Sequence, residues 1–220
     1  MKTVVFDLDG TLADTSADLL AAANATFADL GHAPPLGAGD AALAHRGGRA
    51  MLREGMARLG QAVDEAQIMA LYPVLLGHYQ AALAVHTRLY DGAEAALHAL
   101  RARGYACAIC TNKPTYLAEA LVQHLGIRPL FGALIGAGSL DVVKPNPAPY
   151  FAALAGVGGT ASMMIGDTDT DHLTARAARV PSVLVAFGPN GRNVAALAPD
   201  ALLAHFNDLP DLTAHILGAP

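Results

Sequence analysis

From residue 87 onward the chain alternates short apolar runs with segments of helical spacing, the signature of β-α units feeding a parallel sheet. The runs that read as strands are TVVFDL (3–8), ACAICT (106–111), ALIGA (133–137), SMMIGD (162–167) and SVLVAF (182–187). Helices are predicted between them, from Gly92 to Arg103, Pro114 to Leu125, Pro147 to Leu154 and Asp169 to Ala178. Pro114 and Pro147 suit a helix's first turn, where a missing N–H costs nothing. The later stretch PDALLAHFNDLPDL reads as a closing strand and helix, with no catalytic role.

One segment breaks this rhythm. From Thr15 to about Val85 the pattern is helical throughout, with PPLGAGD (34–40) as a loop and no strand. A parallel crossover needs only about a dozen residues, and this one has roughly seventy. The expected architecture is therefore α/β: a Rossmann-like core with a parallel sheet, residues 1–14 and 86–220, carrying an inserted all-helical domain over 15–85. Hinges are expected near Ala13 to Ser16 and Ala84 to Leu89.

Composition removes several functional classes. Hydrophobic residues make up 53% of the 220, much of that alanine. No uninterrupted apolar run reaches about 18 residues, so no membrane span is expected. The opening MKTVVFDLDG has acidic residues where a secretion signal needs an apolar core, which points to a cytoplasmic protein. A net charge of -5, without a basic stripe, argues against nucleic acid as a partner. The two cysteines, in YACAIC, have Cys-x-x-Cys spacing. On a strand, three steps hold them roughly 10 Å apart, beyond disulfide reach, so they read as small buried hydrophobes. The nine histidines are scattered and form no zinc motif.

The chemistry gathers at strand ends. VVFDLDGTLADT (4–15) runs a core strand into Asp7 and Asp9, although burying one unpaired carboxylate is costly and two together repel. The second strand ends in Thr111-Asn112-Lys113, the third is followed by KPNP with Lys144, and the fourth ends in GDTDTD with Asp167, Asp169 and Asp171. Open parallel sheets bind ligands beyond the carboxyl ends of their strands. Clustered aspartates with one or two lysines call for a hard divalent cation, and Mg²⁺ takes a few carboxylate oxygens together with waters and substrate phosphate. Thr111 and Asn112, expected at a helix N-terminus, would favour that phosphate, and Lys144 would neutralise further charge. An aspartate beside such a phosphoryl group can attack it as a nucleophile. Taken singly, each motif is an ordinary turn, cap or helix start; together, in order and at strand ends, they form a site.

The strings FDLDGTLADT, ICTNKP, KPNP and GDTDTDHLTARAA, in this order, resemble the motifs of the haloacid dehalogenase-like superfamily, and within it the phosphoglycolate phosphatase group. The resemblance covers nearly the whole chain, because the helical insertion falls where that family carries its cap. It implies Asp7 as the nucleophile that forms an aspartyl-phosphate, and Asp9 as the acid that protonates the leaving oxygen and then the base that activates water. It implies Thr111 and the backbone of Asn112 as phosphoryl ligands, with Lys144 pairing Asp7 and the phosphate. Mg²⁺ would be ligated by Asp7, Asp167 and the backbone carbonyl of Asp9, with Asp171 nearby, acting through water or by bonding Lys144. Asp169 falls outside the motif and reads as a helix cap. Arg179 stands where relatives usually have glycine, a change expected to alter a turn and not the chemistry.

Releasing halide needs no proton, whereas the alkoxide of a phosphate ester does, so Asp9 favours phosphoryl transfer over dehalogenation. The expected activity is Mg²⁺-dependent hydrolysis of a small phosphorylated metabolite, 2-phosphoglycolate first. A sugar-phosphate phosphatase or phosphomutase of the same superfamily is the alternative, and a phospho-acceptor signalling module a remote one. Selectivity is expected from the cap, where Arg46 and Arg49 flank a Gly-Gly turn in HRGGRAML and would meet an anionic substrate. Either a monomer or a homodimer is compatible with these features.

Overall fold

The computed structural model describes residues 1–219. In chain order its first elements are β1 (Lys2–Phe6), β2 (Ala13–Asp14), α1 (Ser16–Asp29), α2 (Ala41–Ala44), α3 (Gly48–Arg58), α4 (Glu65–Ala81) and β3 (Arg88–Leu89). An alternating series follows: α5 (Ala93–Ala102), β4 (Ala106–Pro114), α6 (Thr115–His124), β5 (Ala133–Ala137), α7 (Ala148–Gly156), β6 (Ala161–Gly166), α8 (Asp169–Ala178), β7 (Ser182–Val185), β8 (Ala201–Leu203) and α9 (Leu209–Leu217). Six strands form one parallel sheet in the order β5-β4-β1-β6-β7-β8, the α/β arrangement that the alternating pattern predicts. The strand and helix expected near the C-terminus are β8 and α9.

The chain divides into two units, one of residues 1–14 with 89–220 and one of residues 15–88. In the first, β1 is central because its side chains are apolar on both faces. Val4, Val5 and Phe6 are wholly buried, each contributing about 1.5–3 kcal/mol of hydrophobic stabilisation. Val5, Ala108, Cys110 and Met164 join Tyr150, Ala153, Ala175 and Ala178 in one cluster between sheet and helices. Cys107 and Cys110 are free and buried, and burial pushes both thiols up to about 12. They are inert packing groups, as their spacing on a strand implies.

Two boundaries differ from expectation in ways that matter for chemistry. β1 stops at Phe6, and the Asp7 N–H makes one last ladder bond to the Ile165 carbonyl at 2.9 Å. Gly10, at φ 80, then turns the chain back so that Leu12 and Ala13 donate to the Leu8 carbonyl. Thr111, Asn112 and Lys113 do not open a helix; β4 carries them as strand through Pro114, and α6 starts at Thr115. The cause is a bulge: the β4–β5 register shifts between Cys110 and Pro114, and pairing resumes at Pro114 with Ala137. Gly136 makes this possible, since a Cβ there would lie 2.6 Å from the Lys113 carbonyl oxygen and 2.7 Å from Thr115 Cα.

The second unit is helical. Phe27, Met51, Leu52, Met56, Ile68, Leu75 and Tyr79 form its buried interior. Gly55 lets α3 close on α1, because a Cβ there would lie 2.3 Å from the Phe27 ring. Asp18, in the first turn of α1, is 4% exposed, and both its oxygens accept the His86 N–H, at 3.0 and 3.1 Å. Its Oδ2 also accepts the Thr87 N–H at 2.8 Å and the Thr87 hydroxyl at 2.7 Å. One carboxylate thus ties the start of the unit to its end. Asp18→Ala would leave those donors buried without an acceptor and should destabilise the protein by about 2–4 kcal/mol, read as a lowered urea midpoint. An unchanged midpoint would show that the tie carries no stability.

Candidate active site

Parallel register delivers the functional side chains to one edge. Phe6 is level with both Ile109 on β4 and Ile165 on β6, so the residues that follow in each strand emerge together. These are Asp7 and Asp9 after β1, Thr111 on β4, and Asp167 after β6. The sheet order reverses at β1, since the chain builds β4 and β5 to one side and β6, β7 and β8 to the other. Such a switch point opens a crevice at the strands' carboxyl ends.

Lys144 organises the charges there. Its Nζ donates to Asp171 Oδ1 at 2.6 Å and lies 3.0 Å from Asp7 Oδ1, within ion-pair distance. The remaining oxygen of Asp171, Oδ2, accepts the Asp167 N–H at 3.2 Å, the Thr168 N–H at 3.1 Å and the Thr168 hydroxyl at 2.8 Å. Thr168, not Asp169, therefore occupies the N-cap of α8, and Asp169 is the first helical residue. Gly166 is needed beside it, because a Cβ there would lie 2.2 Å from Asp171 Cβ. Thr11 donates its hydroxyl to Asp167 Oδ1 at 2.9 Å.

Two buried oxygens, Asp7 Oδ1 and Asp167 Oδ2, have no hydrogen-bond donor. Carboxylate atoms of Asp7, Asp167 and Asp171 all lie within 4.8 Å of one another. Burial pushes the Asp7 carboxyl up to about 6 against the pull of Lys144, with the Asp171 and Asp9 charges adding to the rise. Asp167 is held well above the usual carboxylate range by burial first and then by the charges of Asp171 and Asp7. Burial alone would lower the Lys144 ammonium, but Asp171 and Asp7 outweigh it and raise its pKa. One ammonium among three carboxylates leaves negative charge that two undonated oxygens are placed to share with a hard cation. The donor set fits Mg²⁺, which takes few protein oxygens and keeps waters.

The other expected residues have definite places. Asn112 turns its amide away from the crevice: Nδ2 donates to the Lys144 carbonyl at 3.0 Å, and Oδ1 accepts the Lys144 N–H at 2.9 Å. Its side chain thereby positions Lys144, and its backbone remains for a phosphoryl group. Thr111 Oγ1 accepts the Lys113 N–H at 3.2 Å. Arg46 and Arg49 belong to the helical unit, both exposed, with the Arg49 guanidinium 4.9 Å from the Tyr72 ring centroid. Gly47, at φ 93, is the N-cap of α3 and Gly48 its first residue, so the Gly-Gly pair does form a turn between the arginines. Arg179 adopts φ 58, a left-handed C-cap of α8 where glycine carries no penalty.

Sequence reasoning left Thr11, Thr168 and above all Lys113 without roles. Lys113 is buried, and its Nζ donates to Asp9 at 2.9 Å to Oδ1 and 3.2 Å to Oδ2. No local signal marked Lys113, because the bulge that carries β4 past Thr111 depends on pairing with β5.

A family model for haloacid dehalogenase-like hydrolases matches residues 1–179. The chain is 36% identical over 217 residues to a phosphoglycolate phosphatase of Cereibacter sphaeroides, covering 99% of this chain and 100% of the relative. With the phosphoglycolate phosphatase of Caulobacter vibrioides it shares 40% identity over 211 residues, 94% of this chain and 89% of that one. The crystal structure of a predicted phosphoglycolate phosphatase from Haemophilus somnus superposes with a TM-score of 0.85 at 26% identity, covering 97% of this chain and 98% of the other. Among the described residues, no helix is long and apolar enough to cross a membrane.

The raised acids make a signed prediction. A carboxyl whose folded pKa, about 6, exceeds its usual 3.8 stabilises the fold below that lower value and loses this contribution as pH rises through the higher one. In chelator, Asp7→Asn should therefore gain on the wild type between about pH 4.5 and pH 7.5, by about 3 kcal/mol at most. Urea midpoints at the two pH values test this; a gap that does not widen would refute it.

Proposed function

The chain belongs to the haloacid dehalogenase-like hydrolases, and from that premise we propose that it hydrolyses 2-phosphoglycolate, a small phosphomonoester, through an aspartyl-phosphate on Asp7. The observation that carries this reading is the pair of undonated carboxylate oxygens, on Asp7 and Asp167, beside the buried ammonium of Lys144. Support for the substrate comes from the names of relatives that match over nearly their full length.

In the first step an Asp7 carboxylate oxygen attacks phosphorus and the ester P–O bond breaks. Asp9 gives its proton to the departing alkoxide, which leaves as glycolate. In the second step water attacks the phosphorus of the aspartyl-phosphate while Asp9 takes its proton; phosphate departs and Asp7 is restored. The Thr111 hydroxyl and the Asn112 backbone hold phosphoryl oxygens, and Lys144 offsets their charge. Asp7, Asp167 and the backbone carbonyl of Asp9 would hold Mg²⁺, which when bound supplies positive charge to the phosphoryl oxygens. Asp171 acts through Lys144, to which it is bonded at 2.6 Å. In this reading the helical unit is the cap, and Arg46 and Arg49 are its cations for an anionic substrate.

Phosphate release with 2-phosphoglycolate should require Mg²⁺ and exceed that with sugar phosphates or nucleoside monophosphates by at least about tenfold in kcat/KM, a difference of about 1.4 kcal/mol. Equal rates across the panel would overturn the substrate while leaving the site chemistry. Asp7→Asn should lower kcat by at least about four orders of magnitude with an unchanged circular dichroism spectrum. Turnover retained in that variant would remove Asp7 as the nucleophile.

A further inference from the structure

We propose that Lys113 receives the substrate's carboxylate, so that preference for an anionic leaving group is built into strand β4. This rests on the function proposed above and names the residue that reads its substrate.

The Lys113 side chain is 3% exposed, and an ammonium is buried only where partners repay its lost hydration. Its Nζ donates to the Asp9 carboxylate, at 2.9 and 3.2 Å. Asp9 is also the group that must hand a proton to the leaving oxygen, which requires an approach of about 2.6–3.2 Å. The leaving oxygen therefore sits within two hydrogen-bond lengths of Lys113 Nζ. In 2-phosphoglycolate the carboxylate carbon is two bonds from that oxygen, so its own oxygens lie about 3 Å away from it. A carboxylate turned toward Nζ then comes within reach of a single hydrogen bond from it.

Position and competition point the same way. Lys113 and Thr111 are both buried, and Lys113 Nζ reaches Asp9 beyond the end of β1, so its ammonium lies at the same edge of the sheet. Its backbone is held by the N–H bond to Thr111 Oγ1 at 3.2 Å and by the close approach of Gly136 to its carbonyl. Two lysines bond the site's carboxylates, and Lys144 already spans Asp171 and Asp7 at the phosphoryl end. Lys113 stands at the leaving-group end.

The test compares 2-phosphoglycolate with 2-hydroxyethyl phosphate, which replaces the carboxylate by a neutral alcohol, in wild type, Lys113→Met and Lys113→Arg. We expect the ratio of kcat/KM values, carboxylate over alcohol, to fall at least 30-fold in the Met variant, chiefly through KM, and to recover at least tenfold in the Arg variant. A ratio cancels the fraction of active enzyme, so partial unfolding cannot mimic the result. If Lys113→Met does not fold, Lys113→Gln, which can still donate to Asp9, reads the same ratio. An equal loss on both substrates would make Lys113 a positioning group for Asp9 alone and overturn the inference. A ratio unchanged from a discriminating wild type would also overturn it, leaving selection with Arg46 and Arg49. A wild type that does not discriminate would overturn the 2-phosphoglycolate reading itself, and the inference with it.

Discussion

The buried ammonium of Lys144 is the contact that lets several carboxylates share the ends of β1 and β6. It holds Asp171 at 2.6 Å and Asp7 at 3.0 Å, in a region where unpaired charge is expensive. Asp171 spends both oxygens on structure, one on Lys144 and the other on the backbone entering α8. Its charge therefore sets the lysine in place, and its carboxylate lies within 4.8 Å of those of Asp7 and Asp167. Asp7 and Asp167 each keep a buried oxygen, that of Asp7 facing the Lys144 ammonium, and burial with neighbouring negative charge holds both carboxyls above the usual range. The same deficit that would be a flaw in a structural core is what a cation and a phosphoryl group together can satisfy.

Around this contact the fold is arranged by close approach. Gly166 gives Asp171 room to lie against β6, and Gly136 gives the bulged end of β4 room against β5. Asn112 reaches from β4 to both the N–H and the carbonyl of Lys144, so the loop that bears the lysine is referenced to the strand that bears Thr111. Thr11 does the same for Asp167 from the turn after β1. Each of these ties joins two different strand ends. The site's geometry is thereby a property of the sheet as a whole and not of any one loop.

Charge is distributed between two ends of the crevice. Lys144 lies with Asp7 and Asp171, and Lys113 with Asp9. Asp7 and Asp9 thus each have an ammonium of their own, and the two neighbouring carboxylates are neutralised from different segments of the chain. Within the helical unit, Asp18 performs a purely structural version of the same task, gathering donors from His86 and Thr87.

The parallel sheet was legible because its strands are short apolar runs at α/β spacing, and β5 and α8 lie where the pattern puts them. Asp7, Asp9, Thr111 and Asp167 stood out as candidates for a related reason: polar residues at the end of a buried strand break the hydrophobic pattern. Lys144, in the loop after β5, stood out by its KPNP motif alone. Local pattern says nothing about what a side chain meets across the sheet. The continuation of β4 through Lys113 depends on pairing with β5, whose glycine is 23 residues further along the chain, and no local propensity signals it. The same holds for the bond of Lys113 to Asp9, across 104 residues, and for the commitment of the Asn112 amide to Lys144. Sequence alone determined which residue types arrive at the strand ends, because hydrophobic burial sets strand limits locally. Tertiary structure alone decided which charge neutralises which, because that depends on distances of about 3 Å between segments that only the folded sheet brings together.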